Sequence, residues 1–318
     1  MRSAVKTPVG ICLFDEVSEP VMSVESSILS PLDIVHWQQI LLSQFNLTGE
    51  LVRLNGEYDI NIGIYDQDRI IAVAKVTAPD CPLLHVEMQI DALAHIAKTA
   101  PDVPVPRVIK TSDGRSYHMA VDRKGVKRLI WVMTSLQGKP LADIRPHNNV
   151  LLDNIGYMCG RVTATLANFA HPALLREIKW DLTRADWVCP HISMIDDADD
   201  RQIVGTIIDD YRTHISDALV KRPKTTIHND PNDYNLLVMP GMDHDTMTPK
   251  PSLTGIVDFG DMISAPAVCD LAILAAYIIL DDLRPLEKLC AVVAGYHRAC
   301  PLTPDDIALG YPLMLTRY

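Results

Sequence analysis

A two-lobed α+β fold, with a small antiparallel β-sheet ahead of a largely helical second half, is predicted by three features of the sequence. Residues 51–76 alternate apolar and polar side chains, the period of half-buried strands. From Asn148 onward the apolar residues recur instead at intervals of three and four, as in helices that bury one face. Between the two, Ser135-Leu136-Gln137-Gly138-Lys139-Pro140 supplies the Gly and Pro of a chain break. The 318 residues are enough for two domains or one bilobal unit. The expected division is an irregular extension over 1–30, an N-terminal lobe over 31–136 and a helical lobe over 137–318.

Residues 1–30 have mixed polarity, Pro8 and Pro20, and little periodicity. Ser30-Pro31-Leu32-Asp33 then opens a helix: a capping hydroxyl, a proline suited to the first helical position and a carboxylate in the first turn. In the strands that follow, Asn55-Gly56-Glu57-Tyr58-Asp59 interrupts the first hairpin where a phosphate-covering loop could lie, and where an ordinary hairpin turn reads equally well. Lys75 ends an apolar strand on the same face as Ile71 and Val73. That face lets Val73 touch a flat base while the ammonium reaches phosphates, although an edge-strand lysine is the simpler alternative. A helix over 84–99 follows, ended by Pro101, Pro104 and Pro106, and strands are expected over 105–110, 118–122 and 129–134. In the second half, helices are expected over 150–169, with Gly156 and Gly160 as close-packing points, and over 199–219, 265–280 and 285–300, with an irregular stretch over 171–197.

The stretch 225–261 carries the chemistry. Two short apolar runs flank His228-Asn229-Asp230-Pro231-Asn232-Asp233-Tyr234-Asn235, and a third ends in Asp258-Phe259-Gly260-Asp261. Two carboxylate-bearing loops should therefore leave adjacent strands toward one cleft. Asp230 followed five positions later by Asn235 suits a loop in which the acid meets a hydroxyl and the amide turns back to a metal, with Asp258 as second metal ligand. The pattern H-x-D-x-x-x-x-N followed by D-F-G is the kinase signature, with Asn229 where protein kinases carry Arg. Asx-rich turns alone would account for a lone loop of this kind. Further on, Asp270 sits inside an apolar helix and needs partners there. It is expected to brace backbone amides of the 228–235 loop, and His228 to pack beneath that loop.

Composition bounds the partners. Hydrophobic residues make up 48% and charged residues 22%, as in an ordinary globular protein. A net charge of −11 argues against a general nucleic-acid binder or a polybasic membrane anchor. Seven cysteines from Cys12 to Cys300 form no CxxC pair, and no apolar run approaches 18 residues. A cytoplasmic, reducing setting is the expectation. Between 181 and 217 nine Asp face three Arg and no Lys. This is either a solvated helix face or, with Trp180, Asp181 and Trp187, an acidic aromatic wall for an ammonium group.

Together, H-N-D-P-N-D-Y-N, V-D-F-G-D-M and Pro266-x-x-x-Asp270-Leu271-Ala272 resemble the aminoglycoside phosphotransferase/choline kinase superfamily. Within it, R-L-N-G-E-Y-D-I-N and H-P-A-L-L-R-E-I-K-W-D-L-T-R-A-D-W are similar to the hydroxylysine kinases and to the kinase module fused to some class III aminotransferases. The similarity covers roughly 30–318, and it implies a bilobal protein-kinase-like fold with a nucleotide-binding first lobe. It further implies Asp230 as catalytic base, Mg²⁺ on Asn235 and Asp258, and ATP or GTP held by Lys75, Val73 and the Gly56 loop. The helix position that should offer Lys75 a carboxylate is Gln89, which leaves the lysine's partner open. Asp261 is placed to meet a substrate amine. The implied acceptor is a small hydroxylated amine such as 5-hydroxylysine, or homoserine, choline or an aminoglycoside. Relatives of this group continue past the equivalent of Tyr318, which implies a longer polypeptide, with an aminotransferase as one candidate partner. A non-catalytic nucleotide-binding module, suggested by Gln89, and a metal-dependent hydrolase using His228 and Asp230 are the competing readings.

Overall fold

The computed structural model describes residues 30–56, 58–243, 248–280 and 282–318. Most of the expected extension, with Cys12, and Glu57 of the first hairpin loop lie outside them. The capped helix is present as α1 (Pro31–Phe45), where the Ser30 hydroxyl accepts from the Asp33 amide at 3.2 Å. Its Trp37, Leu41 and Phe45 are buried on the sheet that follows.

That sheet is antiparallel throughout. It is built from β1 (Glu50–Leu54), β2 (Ile60–Asp66), β3 (Arg69–Val76), β4 (Val108–Ile109), β5 (His118–Val121) and β6 (Lys127–Thr134), in the order β1-β2-β3-β6-β4 with β5 on β6. Along β3 the period of two is plain. Ala72, Ala74 and Val76 are buried with α1, while Val73 and Lys75 share the half-buried opposite face; Ile71, expected beside them, lies at a register shift against β2 and packs with the α1 cluster. Lys75 is opposite Asn61 on one side and Trp131 on the other, so its backbone is fixed by two neighbouring strands. Between β3 and β4 runs α2 (Leu83–Thr99), whose Val86, Ile90, Leu93 and Ile96 enter the main core.

After the chain break, β7 (Lys139–Pro140) leads into α3 (Asn149–Leu166) and two stretches of 3-10 turns, Pro172–Leu175 and Leu182–Met194. The single helix expected over 199–219 is divided into α4 (Ala198–Asp210), a π turn at Tyr211–Ile215 and α5 (Ser216–Val220). Tyr211 and Ile215, four residues apart across this turn, both face the core. Short strands then alternate with loops: β8 (Lys224–Ile227), β9 (Leu236–Met239), β10 (Met242–Asp243), β11 (Thr248–Pro249), β12 (Ser252–Ile256) and β13 (Ile263–Pro266). β9 pairs with both β12 and β7, and β13 pairs with β8, so the loops after β8 and β12 emerge side by side.

The remaining chain is helical: α6 (Ala267–Ile279), α7 (Pro285–Ala299) and α8 (Pro304–Arg317). Ala265 and Pro266, expected within α6, are the end of β13; Pro266 stands as its N-cap. The helix α8 was not expected. Thr303 and Asp306 close a capping box around Pro304 at the first helical position, a signal legible in T-P-D-D. The seam between α3 and α7 is the closest in the molecule's helical half. A methyl group at Gly156 or Gly295 would overlap the carbonyl of Val292 or of Asp153. No helix among the described residues is long and apolar enough to cross a membrane.

Candidate active site

The eight residues between β8 and β9 form a loop held from beneath. Asp270 on α6 is 2% exposed and accepts the backbone N–H of His228 (3.2 Å) and of Asn229 (2.8 Å) and the Thr163 hydroxyl (2.9 Å). Tyr296 on α7 donates in turn to Thr163 Oγ1 at 3.0 Å. Burial raises the Asp270 carboxyl, and His228 and these donors act against it. The donors to Asp270 thus come from α3 and the loop, with α7 supporting Thr163, and the turn at Asn229 (φ 66°), a residue that tolerates the left-handed region, starts from a fixed point. His228 Nδ1 accepts the Asp230 amide at 3.2 Å, so Nε2 carries the proton and donates to the Val257 carbonyl at 3.0 Å. Both ring nitrogens are thereby spent on backbone, one on each loop.

Asp230 lies at the loop's turn, with its side chain 18% exposed. Its Oδ2 accepts from Asn232 Nδ2 (2.8 Å) and Asn235 Nδ2 (3.0 Å), and its Oδ1 accepts from Arg317 Nη2 (3.1 Å). Burial pushes its carboxyl up to about 6, with Arg317 and His228 opposing.

The second loop begins at Asp258, itself in the left-handed region (φ 62°). Its Oδ1 accepts the Gly260 amide at 3.3 Å and pairs with Lys75 Nζ at 2.8 Å across 183 residues of chain. Lys75 beside it holds the Asp258 carboxyl below its ordinary value. For Lys75 itself burial acts downward, but Asp258, Asp59 and Asp261 outweigh it and raise the ammonium. Asp258 is therefore the partner that the helix lacks. Gln89 does not take that place: its Nε2 donates to the His85 carbonyl of its own helix at 3.2 Å, and the side chain stands by the Gly260 turn.

The other expected residues divide. Asp261 is raised by burial and by nearby Asp258, and its Oδ2 accepts Trp180 Nε1 at 3.1 Å, so this acid and indole do stand together. Asp181 does not join them; it is buried and caps a 3-10 turn, accepting from the Thr183 amide and hydroxyl at 2.8 Å each. Trp187 is 39% exposed and packs on His191. Of the residues expected in an acidic aromatic wall, the structure brings Trp180 together with Asp261, while Asp181 Oδ1 is turned to Thr183. Gly56 sits where a Cβ would meet Asn61 Nδ2 at 2.5 Å, and Asn61 ties the loop by donating to the Asn55 carbonyl at 2.8 Å. Val73 packs half-buried on the main core.

Two residues that contact the loops have no counterpart among the expected ones. Arg176, from the 3-10 stretch before Trp180, donates to the carbonyls of Gly260 and Met262 and so clamps the second loop. Arg317, on the last turn of α8, reaches Asp230. Arg176 lies within the H-P-A-L-L-R-E stretch that carries the family resemblance but has no role readable from it, and Arg317 is marked only as the solitary charge of its apolar segment.

The donor set suits a hard divalent cation. Asn235 spends its Nδ2 on Asp230, which leaves the carboxamide oxygen as acceptor, and Asp258 adds a carboxylate. Among the described residues no cluster of three or more His, Cys, Asp or Glu has metal-holding geometry. Two protein oxygens are the number expected for Mg²⁺ completed by phosphates and water.

Residues 68–302 match the model of the phosphotransferase enzyme family. The chain belongs to that family. Among curated relatives, a hydroxylysine kinase of Xenopus laevis is 27% identical over 212 residues, covering 64% of this chain and 56% of the relative. One of Danio rerio is 29% identical over 194 residues, covering 60% and 53%. The chain thus spans about half the length of these relatives. Among solved structures, a microcompartment-associated aminopropanol kinase superposes with a TM-score of 0.68 at 22% identity, covering 90% of this chain and 86% of that one. An amicoumacin kinase in complex with AMP-PNP and Ca²⁺ gives 0.59 at 15% identity, covering 88% and 84%. The fold, a sheet followed by helices, is shared with these solved structures.

Proposed function

We propose that the chain is a kinase that transfers the γ-phosphoryl group of ATP or GTP to the hydroxyl of a small hydroxylated amine, with 5-hydroxylysine, named by the curated relatives, as first candidate. The observation that carries this reading is the convergence of Asp230 and Asn235 from one loop with Asp258, paired to Lys75, from the next. Phosphoryl transfer passes through a loose transition state, so a protein contributes chiefly position and charge. Asp230 stands within reach of an acceptor hydroxyl and, with its carboxyl at about 6, is ionised at neutral pH yet basic enough to take the departing proton. Lys75 would leave Asp258 for the nucleotide phosphates. Asn235 and Asp258 would hold Mg²⁺, which when bound neutralises the charge of the phosphates. Trp180 and Asp261 would offer the acceptor's ammonium an aromatic ring face and a carboxylate. His228, with both nitrogens on backbone, orients the loops rather than transferring protons.

The test is release of nucleoside diphosphate by the full chain with Mg²⁺, ATP or GTP, and a panel of hydroxylated amines. Wild-type turnover with at least one amine, and a loss of roughly a thousandfold or more in Asp230→Asn, is the expected outcome. Full turnover in Asp230→Asn would remove the base assignment.

A further inference from the structure

We propose that Arg317 recognises the carboxylate of the acceptor, so that the substrate is a hydroxylated amino acid rather than an amino alcohol without an acid group. This rests on the phosphoryl-transfer reading of Asp230, and it adds a specificity residue that lies beyond the 68–302 stretch matched to the family.

The guanidinium is built into place. α8 is anchored at its start by Arg222, which donates from Nε to Asp306 (2.9 Å), from Nη1 to Asp305 (3.0 Å) and from Nη2 to Thr303 (2.8 Å). Leu309, Leu313 and Met314 bury the helix along α6 and its surroundings. At the far end Arg317 lies over the Tyr277 ring, 5.6 Å from its centroid, and donates to the Tyr277 hydroxyl at 3.3 Å. Its side chain is 13% exposed.

The fork is only partly used. A guanidinium presents five donors and prefers to grip both oxygens of one carboxylate. Here Nη2 alone carries the contacts to Asp230 and Tyr277, and Nε is buried with no hydrogen-bond partner in the structure. A buried donor left unmade is costly, and it marks where a further acceptor belongs.

The position also conflicts with the chemistry unless an anion arrives. Arg317 occupies Oδ1 of Asp230, the oxygen that Asn232 and Asn235 leave open. An acceptor that brings its own carboxylate offers the guanidinium a two-oxygen partner, and this frees Oδ1 for the hydroxyl. An acceptor without one leaves the base tied to Arg317. With Asp261 on the other loop and Trp180 hydrogen-bonded to it, the site then presents opposite charges to the two ends of a zwitterion.

The experiment compares 5-hydroxylysine with its decarboxylated counterpart, 1,5-diaminopentan-2-ol, in the wild-type chain and in Arg317→Ala, Arg317→Lys and Tyr277→Phe. The wild type is expected to favour the amino acid. In Arg317→Ala the ratio of the two kcat/KM values should fall roughly 30- to 100-fold, chiefly through KM for the amino acid, the loss expected for a charge-assisted bidentate contact. Arg317→Lys should recover part of the ratio. Tyr277→Phe, which loosens the guanidinium without touching Asp230, should lower it in the same direction. An unchanged ratio with both rates reduced together would make Arg317 a positioning residue for Asp230 and overturn the proposal while phosphoryl transfer stands. A wild-type preference for the diamino alcohol would overturn it equally. Turnover of neither compound would remove the kinase reading for this acceptor class, and the proposal with it.

Discussion

Burial holds the Asp230 carboxyl at about 6 against an ordinary 3.8, so the unfolded chain ionises this group before the folded one does. The stability cost is absent below 3.8, grows as pH rises between the two values and is complete above 6. There it amounts to about 3 kcal/mol, because a tenfold change in a protonation equilibrium corresponds to about 1.4 kcal/mol. Asp230→Asn should therefore raise the melting temperature at about pH 8 while abolishing turnover, and the gain should shrink toward about pH 4; thermal melts at both values check this. The same group should limit kcat/KM on the acid side near pH 6. Arg317 opposes the effect of burial, so in Arg317→Ala the acid limb moves to higher pH, read from the pH profile of the variant. At this scale much of the site was legible: a fixed Asp-to-Asn spacing on one loop, and an Asp on the next, can be read from the chain because strand ends position both. Arg317 was not, since it comes 87 residues after Asp230 and only the packing of α8 on α6 brings the two together. Gln89 misled for a related reason, as the rotation of α2 turned it to the Gly260 turn rather than to Lys75.

Helix α6 delivers Asp270 to the amides of the 228–235 loop, and this one carboxylate joins four elements. Asp270→Ala leaves two buried backbone donors and the Thr163 hydroxyl unpaired, and should cost about 3–5 kcal/mol in chemical denaturation. Tyr296→Phe removes only a hydroxyl donor at the edge of the network and should cost about 1 kcal/mol. If the two variants were equally destabilised, the loop would not hang on Asp270. The run around Asp270 made its burial legible, because an acid in so apolar a helix must find partners. Most strands and helices were likewise readable from their periods. The π turn at Tyr211–Ile215 was not, since Tyr211 and Ile215 keep the four-residue spacing that reads as a continuous α-helix. Pro312 hid α8, because a proline inside a short helix reads as a break although here only one backbone donor is lost.

Across the whole molecule, the Lys75–Asp258 pair connects the antiparallel sheet to the acidic loops of the helical part. Asp258 is 48% exposed, so the pair adds little to stability. Lys75→Ala should leave the melting temperature within about 2 °C of wild type, yet raise KM for the nucleotide roughly tenfold or more. Parallel melts and steady-state kinetics separate the two effects. The order of sheet then helices was legible from the change of period near Asn148. How distant segments close on each other was legible only in part: Gly156 and Gly160 mark a close approach on α3, but no local pattern names α7 as the partner. The seam of α3 and α7 is the case in point. Gly156 and Gly295 let two backbones touch, and Thr163 and Tyr296 from those same helices carry the support of Asp270. A random-mutagenesis screen scored only for lost phosphorylation would therefore collect lesions along this seam, among residues that never meet a nucleotide or an acceptor.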